Sequence, residues 1–292
     1  QAHARLGSDV TLIDHGSILP KDDPELVSFI RDSLHNDGIT IFEHAQITNI
    51  THKDDRTSDI VLKTSGNKTE QTIAATHILV ATGRRPVLEG LELEKAGITT
   101  QDQGIPTDKR LRTSQKHIYA IGDVSYGPKF THIAGYQAGI VIKNIVFKQF
   151  TKIDYSTLPW VTYTDPEIAN IGLTTQQARE KYGDKIRTTS FDFKDNDRAK
   201  TERREDGRIK IVSLKNGRIV GAGIVGPHAG ELLSVWSLAI SKRMKLKDIA
   251  QLIVPYPTFG EVNKSVAGAF YKPILFSDKT KKLARFLIRL PF

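Results

Sequence analysis

The first part of the chain alternates between strand-like and helix-like patterns of apolar residues. The opening QAHARLG is typical of the last turns of a helix capped by Gly7, and the apolar run DVTLID, which ends at Asp14, predicts a strand. A helix is predicted next, because Asp23 can cap it and Pro24 suits its first turn. Its apolar stripe comprises Leu26, Phe29, Ile30 and Leu34. Further strands are predicted in ITIFEHAQITNITHK and DIVLKTSGNKTEQTIAATHILVATG, so this region is predicted to be half of a doubly wound nucleotide-binding unit.

Two more strands are predicted where apolar runs lead into glycine turns. HILVATGRRP predicts a buried strand over His77–Ala81, and HIYAIGDV predicts a second one. The stretch from Leu88 to Arg112 between them is punctuated by Gly and Pro and is predicted to be loop. A long apolar helix is predicted from about Thr131 to Phe147.

From PWVTYTDPEIANIGLT onward the pattern changes to that of an α+β layer. Helices are predicted over Thr175–Tyr182 and from about Ala229 to Met244. Between them, LKNGR predicts a two-residue Asn-Gly hairpin joining alternating strands. The predicted fold class is therefore α/β followed by α+β.

Composition narrows the chemistry. The chain has 292 residues and no cysteine, which excludes a disulfide framework, a thiolate metal site and thiol chemistry carried by this chain itself. No apolar run reaches the ~18 residues of a membrane span and no signal peptide is visible, so a cytoplasmic location is expected. The net charge of +9 raises the odds of an anionic partner, but Lys and Arg are mostly interleaved with Asp and Glu, so nucleic-acid binding is not expected. The only methionine is Met244 and the chain opens in mid-helix, which indicates a fragment of a longer protein.

Two acidic residues follow predicted strands. Asp14, at the end of the second strand of such a unit, can accept hydrogen bonds from the ribose hydroxyls of NAD; the alternative is an Asp that caps a helix or a turn. Gly122 and Asp123 end HIYAIGDV, at the strand edge where ligands of open α/β sheets bind. A Gly-Asp pair after a strand is weak evidence by itself, since most are turns.

Taken together, these motifs are more specific. ATGRRP, the Thr-strand-Gly-Asp segment TSQKHIYAIGDV, PWVTYTDPEIANIGLT, DNDRAKTERREDGRIKIV, RIVGAGIVGPHAGELL and PYPTFGE follow one another in order. In that order they resemble the FAD- and NAD(P)H-binding disulfide oxidoreductase superfamily, in the branch of dihydrolipoamide dehydrogenases and mercuric reductases. The resemblance extends to about Ala269.

The resemblance implies a domain order. It predicts an N-terminally truncated, partial Rossmann-like NAD(P)-binding domain over residues 1–84, the second segment of the FAD-binding domain over 85–152 and an α+β dimerisation domain over 153–270. Residues 271–292 form a basic amphipathic tail. The first FAD segment, with its dinucleotide glycines and redox-active Cys pair, would lie upstream of Gln1.

Cofactor residues follow from the same resemblance. Asp14 matches the acidic ribose ligand of NAD(P)H, Ile47 the residue beside the adenine, and Gly83 the turn that passes close to the nicotinamide cofactor. Flavin contacts are implied for Gly122, Asp123, Thr131 and His132, with Asp123 on the FAD ribitol. Asp14 favours NADH over NADPH, although Arg84, Arg85 and His15 leave the choice open.

The closing motif departs from the family. Its pattern is His-Pro-Thr-x-x-Glu, in which the His is an acid/base oriented by the Glu; here it reads Tyr256-Pro257-Thr258-Phe259-Gly260-Glu261. A phenol titrates near pH 10, so Tyr256 is a poor base at neutral pH. It can still donate a hydrogen bond or contact a soft metal or a quinone-like acceptor. The alternative is a half-buried ring whose hydroxyl meets a backbone partner.

The tail SDKTKKLARFLIRLPF also departs from the pattern. Its apolar face comprises Leu283, Phe286, Leu287 and Leu290, with Lys281, Lys282, Arg285 and Arg289 around it. It is predicted either to pack on its own subunit or to lie on a membrane surface or a partner domain.

The predicted function is that of a homodimeric oxidoreductase passing electrons from NAD(P)H via FAD to a disulfide or another small-molecule acceptor, with Tyr256 and Glu261 as catalytic residues and no metal site. The fragment alone is expected to be inactive. The alternatives are a non-catalytic dimerisation and nucleotide-binding module, and metal reduction of the mercuric reductase kind. That branch carries tyrosine at this position, but it also carries a C-terminal cysteine pair, whereas this chain ends FLIRLPF.

Overall fold

A computed structural model describes residues 1–290 of the chain. The chain divides into two compact units, one formed by residues 1–77 with the chain from 156 onward, the other by residues 78–155. The helices and strands are α1 (Ala2–Arg5), β1 (Thr11–Ile13), α2 (Pro24–Asn36), β2 (Thr40–Phe42), β3 (Ala45–His52), β4 (Ser58–Thr64), β5 (Asn67–Ala75), α3 (Thr131–Ile145), β6 (Pro159–Thr162), β7 (Glu167–Gly172), α4 (Thr175–Tyr182), β8 (Ile186–Asp192), α5 (Asp197–Thr201), β9 (Arg208–Leu214), β10 (Ile219–Gly226), α6 (Ala229–Leu232), α7 (Ser234–Ser241), α8 (Leu246–Ala250), α9 (Glu261–Leu275) and α10 (Asp278–Leu287).

The start of the larger unit confirms the predicted strand–helix–strand order. β1 and β2 pair in parallel with α2 between them, and β3, β4 and β5 form an antiparallel sheet. The Asp23 carboxylate accepts from the Glu25 amide and Pro24 occupies the first turn of α2, as predicted. Of the predicted stripe, Leu26, Ile30 and Leu34 are buried while Phe29 is half-buried.

The remainder of the larger unit is built on a five-stranded antiparallel sheet in the order β6-β7-β10-β9-β8. Its core includes the fully buried side chains of Ile209, Ile224 and Trp236, and the Trp236 indole donates to Asn263 Oδ1 at 2.7 Å. The Asn-Gly hairpin is confirmed, because β9 and β10 are antiparallel neighbours and Gly217 takes a left-handed φ of 85°. α4 has the predicted bounds.

Two predicted strands are absent from the described residues. His77–Ala81 has no strand partner there, and its Leu79 and Val80 are 83% and 73% exposed. HIYAIGDV forms only an isolated bridge between Tyr119 and Arg112, followed by a single 3₁₀ turn over Gly122–Val124. A buried parallel strand needs parallel neighbours for its backbone N–H and C=O groups, and within residues 1–290 HIYAIGDV has only short backbone contacts such as the antiparallel bridge to Arg112.

Helix predictions were closer. α3 covers nearly the whole of the predicted Thr131–Phe147 helix. The single helix predicted from Ala229 to Met244 is divided into α6 and α7, and it ends early because the Met244 amide turns back to the Ala239 carbonyl while Arg243 adopts a left-handed φ of 53°. No helix within residues 1–290 has the length and apolar character that crossing a bilayer requires.

A charged network fastens the start of α2 to the five-stranded sheet. Lys210 on β9 lies 2.9 Å from the Asp23 carboxylate and 2.6 Å from that of Glu25, and Arg208 joins Glu25 to Asp192. Only 11% of the Lys210 and Asp23 side chains is exposed, so these charges are shielded from water but paired. The network therefore fixes residues near the N-terminal end of α2 against β9.

The neighbouring Asp22 has a different electrostatic character. Burial raises the pKa of its carboxyl group, although the Trp160 indole and the Asn170 amide donate to it, at 2.8 Å and 2.5 Å. The hydrogen bond from Lys210 lowers the pKa of Glu25, with Arg208 acting in the same direction. As pH rises, ionisation of Asp22 therefore lowers the free energy of unfolding, whereas ionisation of Glu25 raises it.

A pair of substitutions tests this opposition. In the pH range between the ordinary and the raised pKa of Asp22, its carboxyl group is ionised in the unfolded chain but still protonated in the folded chain. The wild type therefore loses stability as pH rises through this range, and the stability of Asp22→Asn relative to the wild type should increase. Glu25→Gln should lose roughly 1 kcal/mol near neutral pH, a modest value because 40% of that side chain is exposed, and the loss should shrink as pH falls through the acidic range. Urea unfolding from about pH 4 to about pH 8 measures both. If the stability of both variants relative to the wild type changed in the same direction with pH, the opposite pKa shifts of Asp22 and Glu25 would be contradicted.

Candidate functional site

Asp14 lies at the carboxyl end of β1. Its amide donates to the Phe42 carbonyl and its carbonyl accepts from the Ala45 amide, both at 2.9 Å, which fixes its backbone between β2 and β3. The side chain accepts from the Gly16 amide at 2.8 Å and is 37% exposed. Asp14 therefore caps a turn, as one interpretation of the sequence expected, and its carboxylate remains open to solvent.

Ile47 lies close to Asp14 in the fold. It stands on β3 two residues after Ala45, whose amide bonds to the Asp14 carbonyl, and its side chain is 44% exposed. The two residues assigned to the adenosine half of a dinucleotide are therefore linked through the backbone, Asp14 after β1 and Ile47 on β3, and both have exposed side chains.

A second group of predicted residues lies in the unit formed by residues 78–155. Gly122 has a left-handed φ of 71°, and its amide donates to the buried Gln137 side chain at 2.6 Å. A Cβ at Gly122 would lie 3.3 Å from the Ala134 side chain, so a larger residue is disfavoured there. Asp123 follows with its side chain 51% exposed and 3.3 Å from the Arg84 guanidinium.

The remaining predicted cofactor residues stand at the start of α3 and in the ATGRRP turn. Thr131 and His132 form the first turn of α3, and the N-cap residue Phe130 stacks on the His132 ring at 5.1 Å without supplying a side-chain cap within the described structure. First-turn amides of a helix lack intrahelical acceptors and suit an anionic or polar ligand. Gly83 has a φ of 129° and open space where a Cβ would stand.

Arg84, which left the choice of nicotinamide cofactor open, is occupied within its own unit. Besides its ion pair with Asp123, its guanidinium donates to the Lys129 carbonyl at 2.5 Å, and the Lys129 ammonium donates to the Arg84 carbonyl at 2.9 Å. This reciprocal contact fixes Arg84 beside the Asp123 carboxylate. The sequence pointed to Arg84 as a charge but not to this partner.

The PYPTFGE segment forms a tight turn leading into α9. Thr258 Oγ1 donates to the Pro255 carbonyl at 2.8 Å, and the Thr258 amide donates to the Glu261 carboxylate at 3.3 Å. The Tyr256–Pro257 peptide bond is cis. Glu261 thus orders the backbone of the turn and, in this chain, is not hydrogen-bonded to the Tyr256 side chain.

Tyr256 has a partner that the sequence did not suggest. Its ring is 70% exposed, and its hydroxyl donates to the Asp197 carboxylate at 3.1 Å. The half-buried ring with a backbone partner is therefore wrong. The hydrogen bond to Asp197 raises the pKa of the Tyr256 phenol above its ordinary value, and the nearby Asp197 and Glu261 charges act in the same direction. At neutral pH this phenol is a neutral hydrogen-bonding group and cannot serve as a general base.

Asn196 and Asp197 hold the turn from the side of α5. The buried Asn196 side chain accepts from the Ala199 amide at 2.9 Å, which caps α5, and donates to the Thr258 carbonyl at 3.1 Å. Both residues belong to the DNDRAK segment, which the sequence analysis quoted without assigning a role. The only sequence signal for these two residues was an Asn-Asp pair at a helix start. Such a pair predicts a helix cap, but it does not predict a contact with a loop that is distant in the sequence.

Aromatic packing fixes the middle of the same turn. The Phe259 ring lies 6.3 Å from the fully buried Phe193 ring and 5.6 Å from the His228 ring. Since one face of the turn is anchored in the core, the Tyr256 ring at its tip is presented to solvent by a rigid support. Among residues 1–290 no group of His, Asp or Glu side chains has the arrangement of a metal site.

Comparison with known proteins adds to this picture. The pyridine nucleotide-disulphide oxidoreductase domain matches residues 1–138, and the dimerisation domain of the same enzymes matches residues 158–267. The chain is 36% identical to the mercuric reductase of Staphylococcus aureus, covering 94% of this chain and 50% of that protein. It is 34% identical to a dihydrolipoyl dehydrogenase of Bacillus subtilis, covering 91% and 56%. The chain therefore spans about half the length of these relatives.

Solved structures share the fold. LpdA from Mycobacterium tuberculosis superposes with a TM-score of 0.82 at 25% identity, over 91% of this chain and 57% of that one. The HOCl-induced flavoprotein disulfide reductase RclA from Escherichia coli gives 0.82 at 24% identity, over 91% and 60%. The likeness thus extends over most of this chain and a little more than half of each neighbour.

The contact between Asn196 and Thr258 generates a prediction about the turn. Asn196→Asp keeps the acceptor that caps α5 but replaces the donor to Thr258 with a carboxylate, so amides of the 255–261 segment should exchange with solvent about fivefold faster, the equivalent of a hydrogen bond of ~1 kcal/mol. Amide hydrogen exchange measures this. As the matched control, Asn216→Asp retains the acceptor for the Arg218 amide and should leave the segment unchanged. Unaltered exchange in Asn196→Asp would mean that other contacts hold the turn.

Proposed function

The chain belongs to the pyridine nucleotide-disulphide oxidoreductase family, and from this premise we propose that it is part of a homodimeric flavoprotein that passes electrons from NAD(P)H through FAD to a small-molecule acceptor. Members of the family use FAD and NAD(P)H. The match to a dimerisation domain supports the homodimer. The proposed division is a nucleotide-binding part over residues 1–84, a flavin-binding part over 85–152, a dimerisation part over 153–270 and the tail.

The residues present fit the nicotinamide cofactor at its adenosine end. The solvent-open Asp14 carboxylate would accept from the ribose hydroxyls and Ile47 would lie against the adenine. NADH is the proposed donor, because a carboxylate repels the 2′-phosphate of NADPH. Arg84 does not weaken this preference, since its guanidinium is paired with Asp123.

The residues also fit part of a flavin site. The glycine turn at Gly122 leaves room for close approach, Asp123 offers a half-exposed carboxylate for the ribityl hydroxyls, and Thr131 and His132 present the first turn of α3. Bound FAD would supply the redox chemistry, taking up hydride equivalents from NADH. The protein's own part at this site is to hold and orient the cofactor.

The proposal about the acceptor end rests on one observation, the hydrogen bond from Tyr256 to Asp197. The one proton of this neutral phenol is donated to Asp197, and the oxygen lone pairs stay exposed, so Tyr256 is proposed as a hydrogen-bonding contact for the acceptor molecule through its oxygen. Acceptors that need a general base to handle thiol protons are disfavoured. Glu261 is proposed to act through the turn backbone, as a positioning residue.

A second candidate is reduction of a soft metal ion. It is favoured by tyrosine in the frame where the family pattern has histidine, and by the identity to a mercuric reductase. The metal ion would be a substrate that binds to the whole protein, so this chain would not need a permanent metal site. The absence of cysteine from this chain does not separate the two candidates, because passing electrons to a disulfide through a cysteine pair would equally need cysteines outside this chain.

The proposal is tested by anaerobic titration of the whole protein carrying this chain with NADH, followed by visible absorption. We expect flavin absorption to be present and to respond to NADH. A new long-wavelength band would indicate a cysteine pair coupled to the flavin, whereas simple bleaching would indicate that the acceptor takes electrons without one. A purified dimer that retains no flavin would overturn the proposal and favour a non-catalytic dimerisation and nucleotide-binding module.

Substitution of Tyr256 separates the two halves of the reaction. Tyr256→Phe should leave flavin reduction by NADH unchanged and slow reoxidation by the acceptor about tenfold, as expected for loss of one hydrogen bond in the transition state. Tyr256→His should introduce an ionisation near pH 6.5 into the reoxidation step, which the wild type lacks. Stopped-flow absorption measures both steps.

The control for these variants is Tyr163→Phe, which removes a hydroxyl from another tyrosine that is 82% exposed. It should leave both steps unchanged. Reoxidation at the wild-type rate in Tyr256→Phe would remove Tyr256 from the proposed site while leaving the flavoprotein assignment intact.

A further inference from the structure

α10 presents an apolar face that stays about half exposed in the described chain. Ser277 caps the helix through the Thr280 amide, so it begins as a well-formed helix, yet none of its residues is buried. The apolar face comprises Leu283, Phe286, Leu287 and the following Leu290, which are 55%, 60%, 52% and 48% exposed. Within the described chain, the expected packing of this segment on its own subunit therefore buries none of the α10 residues.

Exposed apolar side chains continue upstream of the helix. Ile274, Leu275 and Phe276, at the end of α9, are 52%, 58% and 64% exposed. Thr280 Oγ1 donates to the Ile274 carbonyl at 2.8 Å, which ties the start of α10 to the end of α9. The apolar surface thus extends over both sides of the α9–α10 junction. Apolar side chains that are contiguous along the chain and exposed in this way mark an interaction surface.

Basic side chains accompany this apolar surface. Residues 272–290 contain six basic residues and one acidic residue, a net charge of +5 that is more than half of the whole chain's +9. The basic residues are Lys272, Lys279, Lys281, Lys282, Arg285 and Arg289. The acidic residue is Asp278, in the first turn of α10, 3.8 Å from Lys281. On a helix of 3.6 residues per turn, Lys281, Lys282 and Arg285 lie together on one side, away from Leu283 and Leu287.

This combination favours an anionic lipid surface over a second copy of the chain and over nucleic acid. A second copy packed on the same face about a two-fold axis would bring +5 against +5 with one acidic residue on each side to offset it. Nucleic acid would match the charge but leave the apolar side chains without a partner. An anionic lipid surface matches both, because its acyl boundary accepts apolar side chains while its headgroups attract Lys and Arg.

We propose that α10 lies in the plane of a membrane surface and attaches the protein to anionic lipid. The apolar face enters the boundary between headgroups and acyl chains, and the Lys and Arg stems extend along the helix so that their charged ends reach the headgroups. A helix of this length gives weak, reversible attachment that weakens with salt. The inference does not depend on the proposed function, since it uses only the described tail.

The test is co-sedimentation of the purified full-length protein with vesicles of phosphatidylcholine containing about 30% phosphatidylserine, compared with vesicles of phosphatidylcholine alone. We expect binding to the anionic vesicles at low salt, with loss at high salt. Lys281→Glu with Lys282→Glu should weaken partitioning by at least tenfold, on the order expected for reversing two charges near the surface. Leu283→Gln with Leu287→Gln should weaken it with the net charge unchanged.

Lys116→Glu with Lys242→Glu is the matched control, because it makes the same change in net charge at two exposed residues outside the tail. This control should bind as the wild type does. Equal loss in the control and in the Lys281/Lys282 variant would overturn the proposal in favour of general charge attraction. Failure of the wild type to bind anionic vesicles would also overturn it, as would a change of oligomeric state in the Leu283/Leu287 variant without vesicle binding, which would assign the face to a second copy.

Discussion

The paired charges between α2 and the five-stranded sheet are the interaction on which the larger unit depends. They join a segment near the start of the chain to strands nearly two hundred residues later, as the contact from Glu25 to Lys210 shows. Shielded charges are costly unless every partner is present, so Asp23, Glu25, Lys210 and Arg208 specify one seating of the helix. Close approach is also required: a Cβ at Gly223 of β10 would lie 2.5 Å from the Leu26 side chain of α2.

The turn that carries Tyr256 is likewise held by polar contacts between segments that are distant in the sequence. α5 has only five residues, and the residues at its start make the contacts that hold the turn. Asn196 satisfies a helix cap and a loop carbonyl with one side chain, and Asp197 meets the phenol. Asn196 and Asp197 are about sixty residues away from the turn in the sequence. The turn is therefore held in place by other elements of the fold as well as by contacts within its own sequence.

Replacement of histidine by tyrosine changes what this turn can do. An imidazole can take up and release protons near neutral pH, whereas a phenol beside a carboxylate stays protonated. Glu261 bonds to the Thr258 amide and keeps a structural task that does not require the imidazole. The hydrogen bonds of this turn do not depend on whether its tip carries an imidazole or a phenol, so family membership and the identity of the acceptor are separate questions.

The sequence by itself determined the elements whose signals are local. The Asp23–Pro24 start of α2, α3, α4 and the Asn-Gly hairpin follow from capping, periodicity and turn chemistry within a few residues, and the ordered motifs determined the family. Tertiary structure decided what depends on distant partners. His77–Ala81 and HIYAIGDV have strand-like patterns but form no strands in the described chain, because a strand exists only beside another one. The partner of Tyr256, the pairing of Arg84 with Asp123 and the exposure of the α10 face were likewise set by which residues the fold brings together, and no local pattern encodes that.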